Sequence, residues 1–117
     1  GVLVLRNETQ REIMVFLFSN QWPNQELKNS KTNDNSTSFS VSIPLKIKSL
    51  NIARVDNTHS NAPQAWRDDG RPMYLTQEQI SKYEKISEIE WKQIETSALN
   101  QVIVVPLNGI ACLKIAY

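Results

Sequence analysis

Serine and apolar residues alternate from Ser38 to Ile43, with Phe39, Val41 and Ile43 on one face and Ser38, Ser40 and Ser42 on the other. A repeat of two is the signature of a strand with one wet face and one buried face. Pro44 ends that ladder, because it has no N–H to give. The run 13–18 is apolar at every position. Its Val, Ile and Phe content and its shortness favour a strand over a helix, and its unbroken apolarity predicts burial on both faces. The run 2–5 pairs with it as a hairpin across the polar residues 6–10. Residues 50–55 form another strand, with Leu50 and Ile52 turned one way and Ala53 and Val55 the other. Further on, Ile89 and Trp91 alternate with Glu88 and Glu90, and 102–105 reads as a short buried run. Asn108-Gly109 predicts a two-residue hairpin turn between 102–107 and 110–117.

Residues 56–87 break this pattern. Asn61 suits an N-cap, Pro63 the first turn, and Gly70 the left-handed residue just past a helix end. This predicts a short helix over 62–69 that carries Trp66 inward. Thr76-Gln77-Glu78-Gln79 matches a capping box opening a second helix. Ile80 and Tyr83 share its inner face, Glu78 and Lys82 are spaced as an i,i+4 pair, and Lys82 and Lys85 sit late, where the dipole favours them. The stretch 20–38, with Pro23 and a polar run over 28–36, predicts a mobile loop. The sequons at Asn7 and Asn35 read as chance matches in a chain rich in Asn, Ser and Thr. The pattern as a whole predicts a mainly all-β fold: an antiparallel β-sandwich of about seven short strands with a helical excursion at about 61–86.

Composition narrows the function classes. The 117 residues suit one domain and exclude a (β/α)₈ barrel, which needs roughly 250. Thirteen basic and 12 acidic side chains leave a net charge of +1. No field draws in nucleic acid or anionic lipid, so neither is an expected partner. No apolar run approaches the roughly 20 residues of a bilayer span. No basic patch leads into an apolar stretch at the start, so no signal peptide is visible and a cytoplasmic location is expected. The single cysteine, Cys112, lies in an apolar run and reads as a small buried hydrophobe. The sole histidine, His59, is far from it in sequence, which argues against a Cys–His nucleophile. Asp68 and Asp69 diverge as helix neighbours, Glu88 and Glu90 look solvated, and three glycines supply no phosphate loop. No catalytic residue, cofactor or metal is expected.

The distinctive stretch is Arg54-Val55-Asp56-Asn57-Thr58-His59-Ser60-Asn61, followed by Trp66. One reading is a structural corner. Asp56 and Asn57 turn the chain, Ser60 and Asn61 cap the helix, Arg54 and His59 satisfy buried acceptors, and Trp66 anchors the corner in the core. A second is a metal site of Asp56, His59 and Asp68 or Asp69, which is poor in the His and Cys ligands zinc uses. A third is a docking surface for another domain. The first and third are compatible.

Arg54-Val55-Asp56-x-x-His59-Ser60-Asn61-Ala62, then Trp66 and Gly70-x-Pro72, resembles the C-terminal β-sandwich region of family 39 glycoside hydrolases, a family of β-xylosidases related to α-L-iduronidases. The Thr-initiated helix over 76–86 and a final hairpin over 104–113 continue the resemblance. The family's chemistry belongs to a preceding barrel, whose two glutamates act as acid/base and nucleophile. No part of this chain matches that barrel. The resemblance implies a non-catalytic accessory domain, a piece of a larger protein, with Arg54, Asp56, His59, Ser60, Asn61 and Trp66 as a structural, inter-domain motif facing the barrel. Similar modules end some bacterial AraC-type transcription regulators, which gives an alternative parent with a sugar-sensing or scaffold role. A carbohydrate-binding module is a further alternative, but Trp22, Trp66 and Trp91 share no strand. The polar insert 28–38 departs from the family. So does the lack of the family's added N-terminal strand, which implies an open sheet edge and possible self-association.

Overall fold

A computed structural model describes residues 1–20, 36–96 and 100–117. Trp22, Pro23 and positions 28–35 of the polar stretch, with the sequon at Asn35, lie outside the described residues. The described residues form β1 (Val2–Asn7), β2 (Glu12–Phe18), β3 (Thr37–Ser42), β4 (Ser49–Val55), α1 (Ala62–Asp68), α2 (Gln77–Ser87), β5 (Lys92–Ile94), β6 (Asn100–Val105) and β7 (Ile110–Ala116). Five strands make one antiparallel sheet in the order β1-β2-β7-β4-β5, and β3 pairs with β6 in a second. The architecture is the expected mainly-β, antiparallel, sandwich-like one.

The register explains the core. Val15 and Leu17 on β2 stand beside Leu113 and Ala111 on β7, and Leu113 and Ile115 stand beside Ile52 and Leu50 on β4. These side chains form the inner face of the large sheet and are buried against Ile103 and Val105 of β6 and Ile43. Phe39 and Val41 complete that layer from β3. Arg54 ties the layers directly: it projects from the inner face of β4 and its Nη1 donates to the Val104 carbonyl at 2.8 Å.

Several expectations change. The 102–105 run is buried on alternate positions only: Ile103 and Val105 are inside, while Val102 and Val104 are exposed. Asn108-Gly109 does turn the chain, with Gly109 N–H donating to the Pro106 carbonyl at 2.9 Å. It does not join a hairpin, however. Both edges of β7 are occupied, by β2 and β4, so β6 crosses to the other layer and pairs with β3. The late strand begins at Lys92 rather than at Glu88, leaving Ile89 and Trp91 exposed ahead of it.

Both helices start where their caps dictate. The Asn61 side chain accepts from Gln64 N–H, and Thr76 and Gln79 form the reciprocal capping box. Gly70, at φ +88°, takes the left-handed position that ends α1. Neither helix buries a residue in the core. The two lean on each other: Lys82 Nζ reaches both Asp69 carboxylate oxygens at 3.0 and 2.9 Å, and Tyr83 OH donates to Asp69 Oδ2 at 2.7 Å. Lys82 is therefore engaged across the helix pair, where the sequence spacing suggested Glu78. Partial burial, then the Asp69 carboxylate, push the Tyr83 phenol up to about 12. The radius of gyration, 17.4 Å, exceeds the roughly 13 Å of a compact chain near this size.

Candidate functional site: the corner and the outer sheet face

The corner grows out of the end of β4. Asp56 Oδ1 accepts from Thr58 N–H (2.9 Å), Thr58 Oγ1 (3.1 Å), His59 N–H (2.9 Å) and His59 Nδ1 (2.7 Å). Asp56 N–H in turn donates to the His59 carbonyl at 3.1 Å. A carboxylate only accepts, so the proton on Nδ1 faces Asp56 and the imidazole is fixed in orientation. The Asp56 side chain is only 4% exposed, whereas that of His59 is half exposed. Burial works against the Asp56 charge, but the hydrogen bonds from His59 and Thr58 outweigh it and hold the carboxyl below its usual range.

Ser60 adopts φ +54°, and its hydroxyl donates to the Glu88 carbonyl at 2.7 Å. The chain leaves the sandwich at Ser60 and returns at Glu88, so this bond closes the base of the arm. Asn61 caps α1 with its oxygen and gives its amide to the Asn57 carbonyl at 3.0 Å. Gly109 packs from below: a Cβ there would sit 2.9 Å from the Pro106 carbonyl oxygen and 3.2 Å from Asp56 Cβ. The crossover turn therefore fits under the corner only as glycine.

Asp56, His59, Ser60 and Asn61 thus form one network, with Arg54 beside it. Trp66 does not join them. It sits on the arm, 37% exposed, with Nε1 donating to the Pro72 carbonyl at 3.0 Å. The expectation that Trp66 anchors the corner in the core fails, because α1 stands outside the sandwich. We expect Trp66→Ala to cost about 1–2 kcal/mol, against the 3–5 kcal/mol of a fully buried ring. A urea midpoint shifted by the larger amount would show that the arm folds back onto the sandwich in solution.

Chemically the corner binds itself. The hydroxyls of Thr58 and Ser60 are engaged with Asp56 and Glu88, and Asp68 and Asp69 are turned to Gln64 and to Lys82 and Tyr83. Among the described residues no group of three or more His, Cys, Asp or Glu is placed to hold a metal ion. Beside the corner lies an open cleft of about 670 Å³ between the sheet and the arm, lined by Ile52, Arg54, His59, Lys85, Glu88 and Lys92 among others. Cys112 is buried in β7, and burial pushes its thiol up, away from a reactive thiolate.

The fold itself occurs in solved enzymes. A monomeric β-xylosidase from Caulobacter crescentus CB15 superposes with a TM-score of 0.69 at 16% identity, over 98% of this chain and 26% of that one. A GH39 β-xylosidase from Caulobacter crescentus gives 0.68 at 18% identity, over 99% and 22%. The GH39 enzyme from Xanthomonas axonopodis pv. citri gives 0.60 at 12% identity, over 98% and 25%. This chain has the fold of one part of those enzymes. It spans about a quarter of their length. No protein-family model matches the sequence, and no curated protein matches it.

A second surface emerges that the corner motif does not signal. On the β1–β2 side of the large sheet, and at the adjoining ends of β7 and β4, residues opposite the core-facing ones are also apolar, while Glu12, Lys114, Asn51 and Gln93 make the rest of that face polar. Leu3 and Leu5 of β1 pair with Phe16 and Met14 of β2, and Phe18 pairs with Ile110 of β7, which pairs with Val55 of β4. Leu3, Leu5, Ile110 and Val55 are each 40–51% exposed. Trp91, with Lys114 Nζ 5.9 Å above its ring, borders the same side. The signal was present in the unbroken apolar run 13–18, which feeds both faces.

Proposed function

We propose that the chain is a non-catalytic accessory module of a glycosidase-like protein, with the outer face of its five-stranded sheet packed against a neighbouring body of the same parent chain. The observation that carries this reading is that outer face. An antiparallel sheet that meets water on one side alternates apolar with polar residues, whereas one covered on both sides is apolar throughout. The face is apolar only in part: Leu3, Leu5, Met14, Phe16, Phe18, Ile110 and Val55 form a contiguous apolar patch of the kind that marks an interaction site, bordered on the same face by Glu12, Lys114 and Asn51. The fold shared with part of GH39 β-xylosidases supports a (β/α)₈ barrel as the body it packs on. The corner of Asp56, His59, Ser60 and Asn61 then sets the arm at a fixed angle to that face, with Arg54 locking the two layers beneath it. The glycosidic chemistry resides in the barrel and this module braces it. The reading frame upstream of Gly1 separates this parent from an AraC-type regulator, the alternative that the solved structures do not support. No described helix is long and apolar enough to cross a membrane.

A double variant, Leu3→Glu with Ile110→Glu, tests the reading. In the 117-residue chain both positions are about half exposed, so each change costs no more than about 1–2 kcal/mol and the chain stays folded. In the parent protein the same change removes the packing, and one merged calorimetric transition splits in two. Side-chain footprinting that finds this face as accessible in the parent as in the isolated chain would defeat the proposal. Titrating xylo-oligosaccharides against the isolated chain, with Trp fluorescence as readout, checks the carbohydrate-binding alternative. No saturable change is expected.

A further inference from the structure

Two strands, β3 and β6, cannot cover the inner face of a five-stranded sheet. At its β4–β5 end that face meets the arm across the open cleft of about 670 Å³. Every residue lining the cleft falls between Ile52 and Lys92, so its walls are built from the described middle of the chain. Arg54 follows Ile52 by two residues and shares its face of β4. Lys92 stands opposite Ile52 on β5, on that same face. Lys85 reaches the cleft from α2, and His59 from the corner. Of the charged residues that line it, Arg54 alone is half-buried rather than exposed. Its Nη1 gives one N–H to the Val104 carbonyl, which leaves four of the guanidinium's five N–H groups without a protein acceptor among the described residues. Glu88 and Glu90 line the same cleft, yet neither pairs with Arg54, Lys85 or Lys92. A half-buried charge without a counter-ion costs stability that a bound anion restores.

We propose that this cleft binds a small hydroxylated carboxylate, with its carboxylate on the Arg54 guanidinium and its body between the sheet and the arm. The planar guanidinium fork matches a carboxylate through two parallel bonds. Lys92 from the sheet and Lys85 from the arm add charge on either wall. Three cations against the carboxylates of Glu88 and Glu90 leave a slight positive excess, which suits a monoanion and not a polyphosphate or a nucleic acid. The remaining polar groups define the body. Glu88 and Glu90 only accept hydrogen bonds. His59 commits Nδ1 to Asp56 at 2.7 Å, so its Nε2 is a further acceptor. These acceptors call for hydroxyl groups on the ligand, and Ile52, Ile86 and Ile89 offer contact to its carbon atoms. The volume lies within the roughly 300–1,000 Å³ of small-molecule sites and far exceeds what inorganic phosphate fills. Neutral xylo-oligosaccharides lack the charge that Arg54 selects.

Titrations of the 117-residue chain at constant ionic strength, followed by amide chemical shifts, test this with three probes. Gluconate carries both the carboxylate and the hydroxyls, sorbitol carries the hydroxyls alone, and inorganic phosphate carries charge without the body. Gluconate is expected to bind with a Kd of about 1 mM, with shifts centred on 52–60 and 85–92, and sorbitol about tenfold more weakly or not at all. Arg54→Lys keeps the charge but loses the fork, and should weaken gluconate about tenfold. Arg54 also ties the two layers, so Lys85→Met, at an exposed position on the arm, is the second variant. It should weaken gluconate about threefold and leave the melting midpoint unchanged. Absence of gluconate binding at about 20 mM overturns the proposal. So does sorbitol binding as tightly as gluconate, or an affinity that neither variant lowers. Phosphate binding as tightly as gluconate overturns it too, since the cleft then holds an adventitious ion only. None of these results bears on the outer-face reading, which Leu3→Glu with Ile110→Glu tests in the parent protein.

Discussion

Replacing Leu113 by alanine is expected to cost about 2–5 kcal/mol, a large share of the roughly 5–15 kcal/mol a domain this size has in total. Leu113 is fully buried on the central strand β7, with Val15 of β2 on one side and Ile52 of β4 on the other. Both neighbours are anchored by backbone ladders, so the site cannot collapse around the missing atoms and a cavity remains. Val104→Ala is the control: it removes apolar atoms from β6 on the solvent side, at a position 46% exposed, and should cost less than about 1 kcal/mol. Urea melts of the two variants should therefore differ severalfold in midpoint shift. Equal shifts would mean that the sheets do not close on β7.

That asymmetry was legible in the sequence where periodicity was clean. The Phe39, Val41, Ile43 alternation, the split of Leu50 and Ile52 from Ala53 and Val55, and the caps at Asn61 and Thr76 all name the side that the structure buries or the residue that starts a helix. What failed were inferences requiring knowledge of the partner. Asn108-Gly109 has the chemistry of a hairpin turn and makes a turn, but local chemistry cannot say that both edges of β7 are already taken. Trp66 looked like a core anchor because large aromatics usually are. Its helix belongs to an arm that turns away from the sandwich, and its indole N–H is satisfied locally by Pro72.

The candidate site divides in the same way. The corner was legible because its bonds are local: Asp56 to Thr58 and His59, Asn61 to Gln64 and Asn57. Sequence separation of a few residues lets side-chain chemistry be read directly. Ser60 to Glu88 and Arg54 to Val104 were not, since each spans a distance that only the topology closes. The outer face stood half visible in the run 13–18, but its breadth depends on β1, β7 and β4 lying beside β2.

The corner should in turn carry an acid-sensitive share of the stability. Asp56→Ala removes a buried carboxylate that collects two backbone N–H groups and two side-chain donors on one oxygen. Hydrogen bonds to a charged group contribute about 1.5–3 kcal/mol, and the backbone N–H groups of Thr58 and His59 lose this acceptor, so a loss of about 2–3 kcal/mol is expected at neutral pH. Its sign with pH follows from the depressed carboxyl. The folded protein holds the Asp56 proton more weakly than the unfolded chain does, whose aspartates titrate near 3.9. The contribution is therefore complete above about pH 5 and declines as the pH falls through the lower, folded value. Wild type and Asp56→Asn should accordingly differ at neutral pH and converge in acid. The asparagine keeps an acceptor oxygen and the shape of the turn but has no proton to gain. Thermal melts of both proteins from neutral pH into acid give the comparison directly. Parallel acid slopes for the two would mean that the charge on Asp56 contributes nothing, and that the corner is held by its geometry alone.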